Sequence, residues 1–129
     1  MTVADLCLLG VVVLTIASIM PAKIGGLREY DNAYPRDPGF YRPGLRARAQ
    51  GAHANGYEAF PFFAAAVVLA EMRGMPQGIV DGLAVAFLLV RLVYLACYLG
   101  NRPTLRSVVW SVGFACNLAI FFLPALGLR

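Results

Sequence analysis

The chain contains four apolar stretches, each close to the roughly 20 residues that a helix needs to cross a bilayer. They run from Val3 to Met20, Ala47 to Leu69, Ile79 to Leu99 and Ser107 to Leu126. The first connection is long and rich in glycine and proline, which predicts an irregular loop from about Pro21 to Leu45. The other two connections are short, so neighbouring helices should be antiparallel. This pattern predicts an all-α integral membrane protein, a four-transmembrane-helix up-down bundle forming one domain over residues 1–129.

Polar side chains continue directly into the second stretch, whose first part reads RARAQGAHANGYEAFPFF over residues 46–63. Such groups are costly in hydrocarbon and mark a functional site by default. At about 100° per residue, three helices each present one polar face. The faces comprise Arg48, Gly51, Asn55 and Glu58 on the second, Arg91, Tyr94 and Tyr98 on the third, and Arg106, Trp110, Gly113 and Asn117 on the fourth.

These polar faces lie toward one end of an up-down bundle, so we expect them to converge on a pocket. Arginines with one amide, one carboxylate and two phenols suit a small zwitterion of net negative charge, because guanidinium pairs with carboxylate in a bidentate geometry. Glu58 would then meet a ligand ammonium. The alternative is a Glu58 to Arg91 ion pair that only orders the bundle. We expect His53 to make an interhelical or intersubunit hydrogen bond, and Trp110 to be an interfacial anchor.

Composition supports the membrane class, with 60% hydrophobic and 14% charged residues. The basic residues are concentrated in the first and third loops, and only Arg73 and Arg129 lie on the opposite side. The positive-inside rule therefore places these two loops in the cytoplasm and both termini outside. Ten of the eleven basic residues are arginine, which favours a bacterial genome and hence an inner membrane.

Several functional classes have little support in this sequence. The first loop alternates acidic with basic residues, so we expect no nucleic acid among the partners. Three cysteines inside apolar stretches give no disulfide framework and no metal-ligand spacing, so no metal site is predicted.

Two segments resemble the membrane-associated proteins in eicosanoid and glutathione metabolism, the MAPEG family. One is RAQGAHANGYEAFPFF, which contains the family's Asn-x-x-Glu pair as Asn55 and Glu58, followed by Phe60-Pro61. The other is RLVYLACYLGNRPTLRS, from Arg91 to Ser107, which looks like the corresponding stretch of microsomal prostaglandin E synthases and glutathione transferases. The two segments occur in order, and the resemblance extends over nearly the whole chain.

The resemblance implies a homotrimer of four-helix subunits that binds glutathione, as co-substrate, in cytoplasm-facing pockets between subunits. It implies Arg106 as the catalytic, thiolate-stabilising residue. The candidate glutathione contacts are Arg48, Asn55, Glu58, Arg91, Tyr94, Tyr98 and Ser107. Gly51 and Ala54 stand where several family members have arginine, and we hypothesise that Arg48 supplies the missing charge.

The implied activity is that of a membrane glutathione transferase or peroxidase. Its second substrate would be a hydrophobic small molecule, an electrophile or a lipid hydroperoxide, that enters from the membrane lipid. The competing hypothesis is a non-catalytic lipid-binding or scaffolding trimer, in which the same polar faces stabilise subunit contacts.

Overall fold

The computed structural model of the chain describes residues 1–127, so the predicted outer position of Arg129 lies outside this range. Within residues 1–127, every regular element is helical. The elements are α1 (Val3–Ala17), α2 (Met20–Gly25), α3 (Leu45–Met72), α4 (Gln77–Leu99), α5 (Pro103–Phe122) and a final 3₁₀ helix (Leu123–Leu126).

The four long helices correspond to the four predicted apolar stretches. By length and composition, three segments can cross a membrane, namely Val3–Gly25, Gln77–Leu99 and Pro103–Leu126. The chain is therefore an integral membrane protein. Helix α3 has 28 residues and is long enough to cross a membrane, but it is not among these three segments. Its first half contains many polar groups, which lower the mean hydropathy of the helix. Its crossing of the bilayer remains a prediction.

The first spanning segment, Val3–Gly25, is interrupted at Ser18 and Ile19, just before Pro21. Proline has no N–H to donate to the carbonyl of Ala17, so α1 cannot continue through it, although proline is well tolerated in the first turn of α2. The hydroxyl of Ser18 donates to the Thr15 carbonyl at 2.6 Å where α1 ends. Helix resumes as far as Gly25, a short segment for which the sequence predicted an irregular loop.

Helix α3 packs against α1, α4 and α5. Small residues allow close approach, as is usual between helices in membranes. At Gly56, a Cβ would lie 2.6 Å from the side chain of Thr15, so α1 and α3 meet closely there. Against α4, Phe63 stacks on Phe87 with ring centroids 4.2 Å apart. Both phenylalanines are buried in the core of the bundle.

The N-terminus and the α3–α4 connection lie at the same end of the bundle. The backbone N–H of Ala4 donates to Asp81 at 2.9 Å, and the Thr2 hydroxyl donates to Glu71 at 3.4 Å. Near the C-terminal end of α5, the backbone carbonyl of Phe121 accepts a hydrogen bond from the Arg73 guanidinium at 3.3 Å. These contacts join both ends of the described chain to one connection, so the up-down order predicted from loop lengths is confirmed.

At the opposite end, the loop 26–44 folds back on the helices. Phe40 and Tyr41 are buried in a second apolar cluster with residues of α2 and α3. Glu29 accepts a hydrogen bond from Arg46 at 2.8 Å and forms an ion pair with Arg42. The hydrogen bond from Arg46 is the main reason that the pKa of Glu29 lies below its ordinary value.

Candidate functional site

Two adjoining cavities lie between α3, α4 and α5. The polar cavity, about 520 Å³, is near the end of the bundle that carries the long loop. It is lined by Gly51, Ala54, Asn55, Glu58, Tyr94, Tyr98, Arg106, Ser107, Trp110 and Ser111. The apolar cavity, about 290 Å³, is lined by Asn55, Glu58, Ala59, Phe62, Phe87, Val90, Arg91, Tyr94, Val109, Trp110, Gly113, Phe114 and Asn117. Shared walls make the two cavities neighbours.

Asn55 connects the two charged groups that the sequence singled out on α3 and α4. Its Oδ1 accepts from Arg91 Nη1 at 2.9 Å, and its Nδ2 donates to Glu58 Oε2 at 3.2 Å. The amide therefore turns its oxygen to the cation and its nitrogen to the anion. Within residues 1–127 the direct Glu58 to Arg91 ion pair, considered as an alternative, does not form, and this amide bridge takes its place.

Aromatic faces hold the two arginines of the site. The guanidinium carbon of Arg91 lies 4.3 Å from the ring centroid of Tyr94, and that of Arg106 lies 4.4 Å from the ring of Tyr98. The two tyrosine rings meet edge to face, with centroids 5.6 Å apart. Each cation–π contact is worth about 0.5–2 kcal/mol, so these contacts help to orient the two arginines. The aromatic rings are uncharged, so both arginines keep their positive charge.

Gly51 makes room for Tyr98. A Cβ at position 51 would collide with the Tyr98 hydroxyl and lie 2.8 Å from its Cζ. The absence of a side chain on α3 therefore lets the phenol of α4 lie against the helix. The resemblance indicated that an arginine is missing at this position. The Tyr98 phenol occupies the space beside Gly51, so the missing arginine leaves no empty space there.

Two of the predicted glutathione contacts have other bonding partners. The Nε of Arg48 donates to the backbone carbonyl of Leu99 at 3.1 Å, so Arg48 satisfies one of the free carbonyls at the end of α4. In the described chain, Arg48 lines neither cavity. Ser107 lines the polar cavity, although its hydroxyl donates to the Pro103 carbonyl of its own helix at 3.1 Å.

His53 lies on the opposite side of α3 from the cavities. Its Nδ1 is 2.7 Å from the Thr15 carbonyl, and since a carbonyl only accepts, Nδ1 carries the proton in this contact. The predicted interhelical hydrogen bond is confirmed. Tyr57, which contacts the His53 ring edge to face, remains 56% exposed on the same side.

The apolar cavity contains residues that sequence reasoning did not select. Phe62, Phe87 and Phe114 read as ordinary apolar positions, so nothing in the pattern distinguished them from the core. Trp110, predicted to be an interfacial anchor, stacks on Phe114 at 5.3 Å and lines both cavities. The sequence did indicate Asn117, because helical periodicity places it on the same polar face of α5 as Arg106.

The charges of the site favour an anion. Arg91, Arg106 and Glu58 together give a formal charge of about +1. Among residues 1–127, the ion pairs formed are those of Glu29 in the loop, so neither site arginine is neutralised by a carboxylate. Two cations, one anion and an amide within a bundle of apolar helices are suited to a polar ligand with separated charges.

An apolar helical bundle in which three long helical segments can cross a membrane defines an integral membrane protein, and the charged cavity at one end is its candidate site. The family model of the MAPEG family matches residues 3–126, nearly the full chain. The chain belongs to the MAPEG family, as the Asn55 and Arg91–Ser107 segments indicated. Comparison with curated proteins and with solved structures gives no match.

Proposed function

We propose that this protein is a membrane glutathione transferase or peroxidase that binds glutathione in the polar cavity. The observation that carries this proposal is the adjoining pair of cavities, one charged and one apolar, with Arg106 in the wall of the charged one. A reaction between a hydrophilic thiol and a hydrophobic acceptor needs both environments side by side. Bound glutathione supplies the nucleophilic sulfur for addition to an electrophile or for reduction of a hydroperoxide.

The donor set of the site fits glutathione. At neutral pH this tripeptide carries two carboxylates and one ammonium, a net charge of −1, which complements the charge of about +1 on the site. The Arg106 guanidinium and the Glu58 carboxylate line the polar cavity and suit a carboxylate and the ammonium of the ligand. Arg91 lines the adjoining apolar cavity, so it would meet the second carboxylate only where the two cavities join. Asn55 can supply or accept a further hydrogen bond, and Tyr94 and Tyr98 line the same cavity. Ser107 is a weaker candidate contact, because its hydroxyl is engaged with its own helix.

Arg106 is the proposed catalytic residue. A thiol with a pKa near 8.5 is mostly protonated at neutral pH, and a fixed positive charge close to the sulfur favours the thiolate. Arg106 is held over the Tyr98 ring and forms no ion pair within residues 1–127, so its full charge is available to a ligand. Such a preorganised charge acts without needing to reorient during the reaction.

The surface of α3 supports assembly with a neighbouring subunit, and we propose the homotrimer that the family resemblance implies. Tyr57 is largely exposed and lies beside His53, opposite the cavities. A lone subunit would present this polar side of α3 to lipid, which is unfavourable, whereas a neighbouring subunit would cover it and allow α3 to cross the bilayer as the fourth spanning helix. We propose this assembly in a bacterial inner membrane, with both termini outside and the first and third loops in the cytoplasm. The hydrophobic substrate would then enter from the membrane lipid.

Isothermal titration of glutathione into the detergent-solubilised protein tests the function. We expect saturable binding that Arg106→Ala weakens at least tenfold, because a charge-assisted contact is worth about 1.5–3 kcal/mol. Arg102→Ala is the matched control, since this exposed arginine lies four residues earlier and outside both cavities. Absence of saturable binding would overturn the enzyme proposal in favour of a lipid-binding or scaffolding trimer. Equal effects of the two substitutions would overturn the role of Arg106.

A further inference from the structure

An exposed apolar surface lies where the first spanning segment leaves the membrane. The segment Val3–Gly25 can cross a membrane, and α2 forms its last six residues, so α2 lies at the edge of the hydrocarbon region. Met20, Ile24 and Leu27 are between 40% and 72% exposed. Because they are four and three residues apart, they lie on one side of α2 and of the turn that follows it. We call these three residues the α2 surface.

Basic residues lie beside the α2 surface. Lys23 is on the helix itself, and Arg28 follows it in an exposed position. A groove of about 220 Å³ lies between α2 and the start of α3, lined by Pro21, Gly25, Arg42, Pro43, Leu45 and Arg46. Apolar and cationic groups therefore occur together at the membrane boundary, which is the arrangement that an amphiphile with an anionic head requires.

The two arginines of the groove differ in their freedom to meet a ligand. Arg46 is held in place, because its Nη2 donates to the Gly25 carbonyl at 3.4 Å and its guanidinium carbon lies 4.8 Å from the ring centroid of Phe40. The Arg42 side chain is 59% exposed. Both arginines pair with the single carboxylate of Glu29, so the three groups keep a formal charge of about +1. Arg42 is therefore the cation that a phosphate can reach.

The other two carboxylates of the loop do not line the groove. Asp31 accepts from the backbone N–H of Ala33 at 2.8 Å, and Asp37 accepts from that of Gly39 at 2.9 Å, so each closes a local turn. The excess positive charge beside the α2 surface thus needs an anion from outside the chain. A second copy of this chain, with its formal net charge of +4, is a poor source, whereas the phosphate of an anionic lipid is a good one.

We infer that the α2 surface and the adjoining groove bind an anionic phospholipid. The lipid phosphate contacts Arg42, and the acyl chains cover the apolar side chains of the α2 surface. This site lies outside both cavities described above and does not depend on the binding of glutathione. A lipid bound there would hold the connection between α1 and α3 against the membrane.

Native mass spectrometry of the protein in a non-ionic detergent tests this inference by counting the phospholipids that stay bound. Dimyristoyl phosphatidylglycerol and dimyristoyl phosphatidylcholine have the same acyl chains, so their comparison isolates the charge of the headgroup. We expect the first phosphatidylglycerol on each subunit to bind at least about fivefold more tightly than phosphatidylcholine. Arg42→Gln should reduce this preference about fivefold, which is the effect of one basic residue close to an anionic lipid.

Two further variants separate a built site from general attraction. Arg102→Gln is the matched control and should keep the preference, because this exposed arginine lies at the same end of the bundle but outside the groove. Leu27→Gln should weaken both lipids about five- to tenfold and keep their ratio, because apolar contact is lost. Equal affinity for the two lipids in the natural protein, as expected if a second copy covers the α2 surface, would overturn the inference. So would equal effects of Arg42→Gln and Arg102→Gln, as expected from general surface charge.

Discussion

Substitution of Gly51 by alanine tests the packing that holds the site together. In a helix interior, replacing glycine by alanine stabilises by about 1 kcal/mol, because alanine loses less backbone entropy on folding. At position 51 the added methyl would also collide with Tyr98, and overpacking of this kind costs about 1–3 kcal/mol. Gly51→Ala should therefore range from neutral to about 2 kcal/mol less stable than the natural protein.

Gly82→Ala provides the matched control, since both glycines lie inside helices. Among the described residues, no atom lies within 4 Å of a Cβ at position 82, so this variant should show the stabilisation alone. The two variants should then differ by about 1–3 kcal/mol, or roughly 4–12 °C in midpoint temperature. Thermal unfolding in detergent, followed by circular dichroism, measures this difference.

A second comparison assigns the cost to Tyr98. In a Tyr98→Ala background the ring is gone, so Gly51→Ala should become as favourable as Gly82→Ala. The coupling between positions 51 and 98 follows from a double-mutant cycle. Equal midpoints for Gly51→Ala and Gly82→Ala, or a cost that is unchanged when Tyr98 is removed, would refute the account of Gly51 as space for the phenol.

Three further predictions concern the contacts around the site. Arg48→Ala should reduce the free energy of unfolding by about 1 kcal/mol through loss of its bond at the end of α4, with little change in glutathione affinity by titration. A tenfold loss of affinity would instead place Arg48 in the binding site. His53→Phe should destabilise by about 0.5–1.5 kcal/mol in chemical unfolding, because it removes one of the two hydrogen bonds to the Thr15 carbonyl, which still accepts from the Ser18 hydroxyl. Arg46 lowers the pKa of Glu29. The Glu29 carboxylate therefore contributes fully to the order of loop 26–44 above its ordinary pKa of 4.5, and this contribution is lost as the pH falls through the lower pKa of the folded protein. Hydrogen exchange in the loop should therefore rise in acid more than the intrinsic rates, and Glu29→Gln should remove this pH dependence.

The sequence predicted the helices well because two strong signals agree in this chain. Apolar stretches near the length of a bilayer defined the long helices, and α4 begins only two residues before the predicted start at Ile79. The 3.6-residue periodicity also predicted that Asn55, Tyr94 and Arg106, from three different helices, would face a common space. Membership of the MAPEG family was predicted from the segment around Asn55 and the segment from Arg91 to Ser107, and it is confirmed by the family model.

The contacts within the site could not be predicted in the same way. Periodicity gives the face of a helix on which a residue lies, but not the rotamer of its side chain or the depth of its neighbour. Arg48 shares a face with Asn55, yet its long side chain reaches the end of α4. The amide bridge through Asn55 and the space that Gly51 leaves for Tyr98 likewise depend on distances between helices, which a single sequence does not contain.

The ionisation of bound glutathione tests the central claim most directly. Thiolate absorbance of the complex, titrated against pH, should show a thiol pKa clearly below the free value of about 8.5. In Arg106→Ala, at glutathione concentrations that restore occupancy, the pKa should return toward that value, while Arg102→Ala should leave it low. A thiol that titrates in the natural complex as it does in water, or one whose lowered pKa survives the loss of Arg106, would contradict the assignment of Arg106 as the group that activates the thiol.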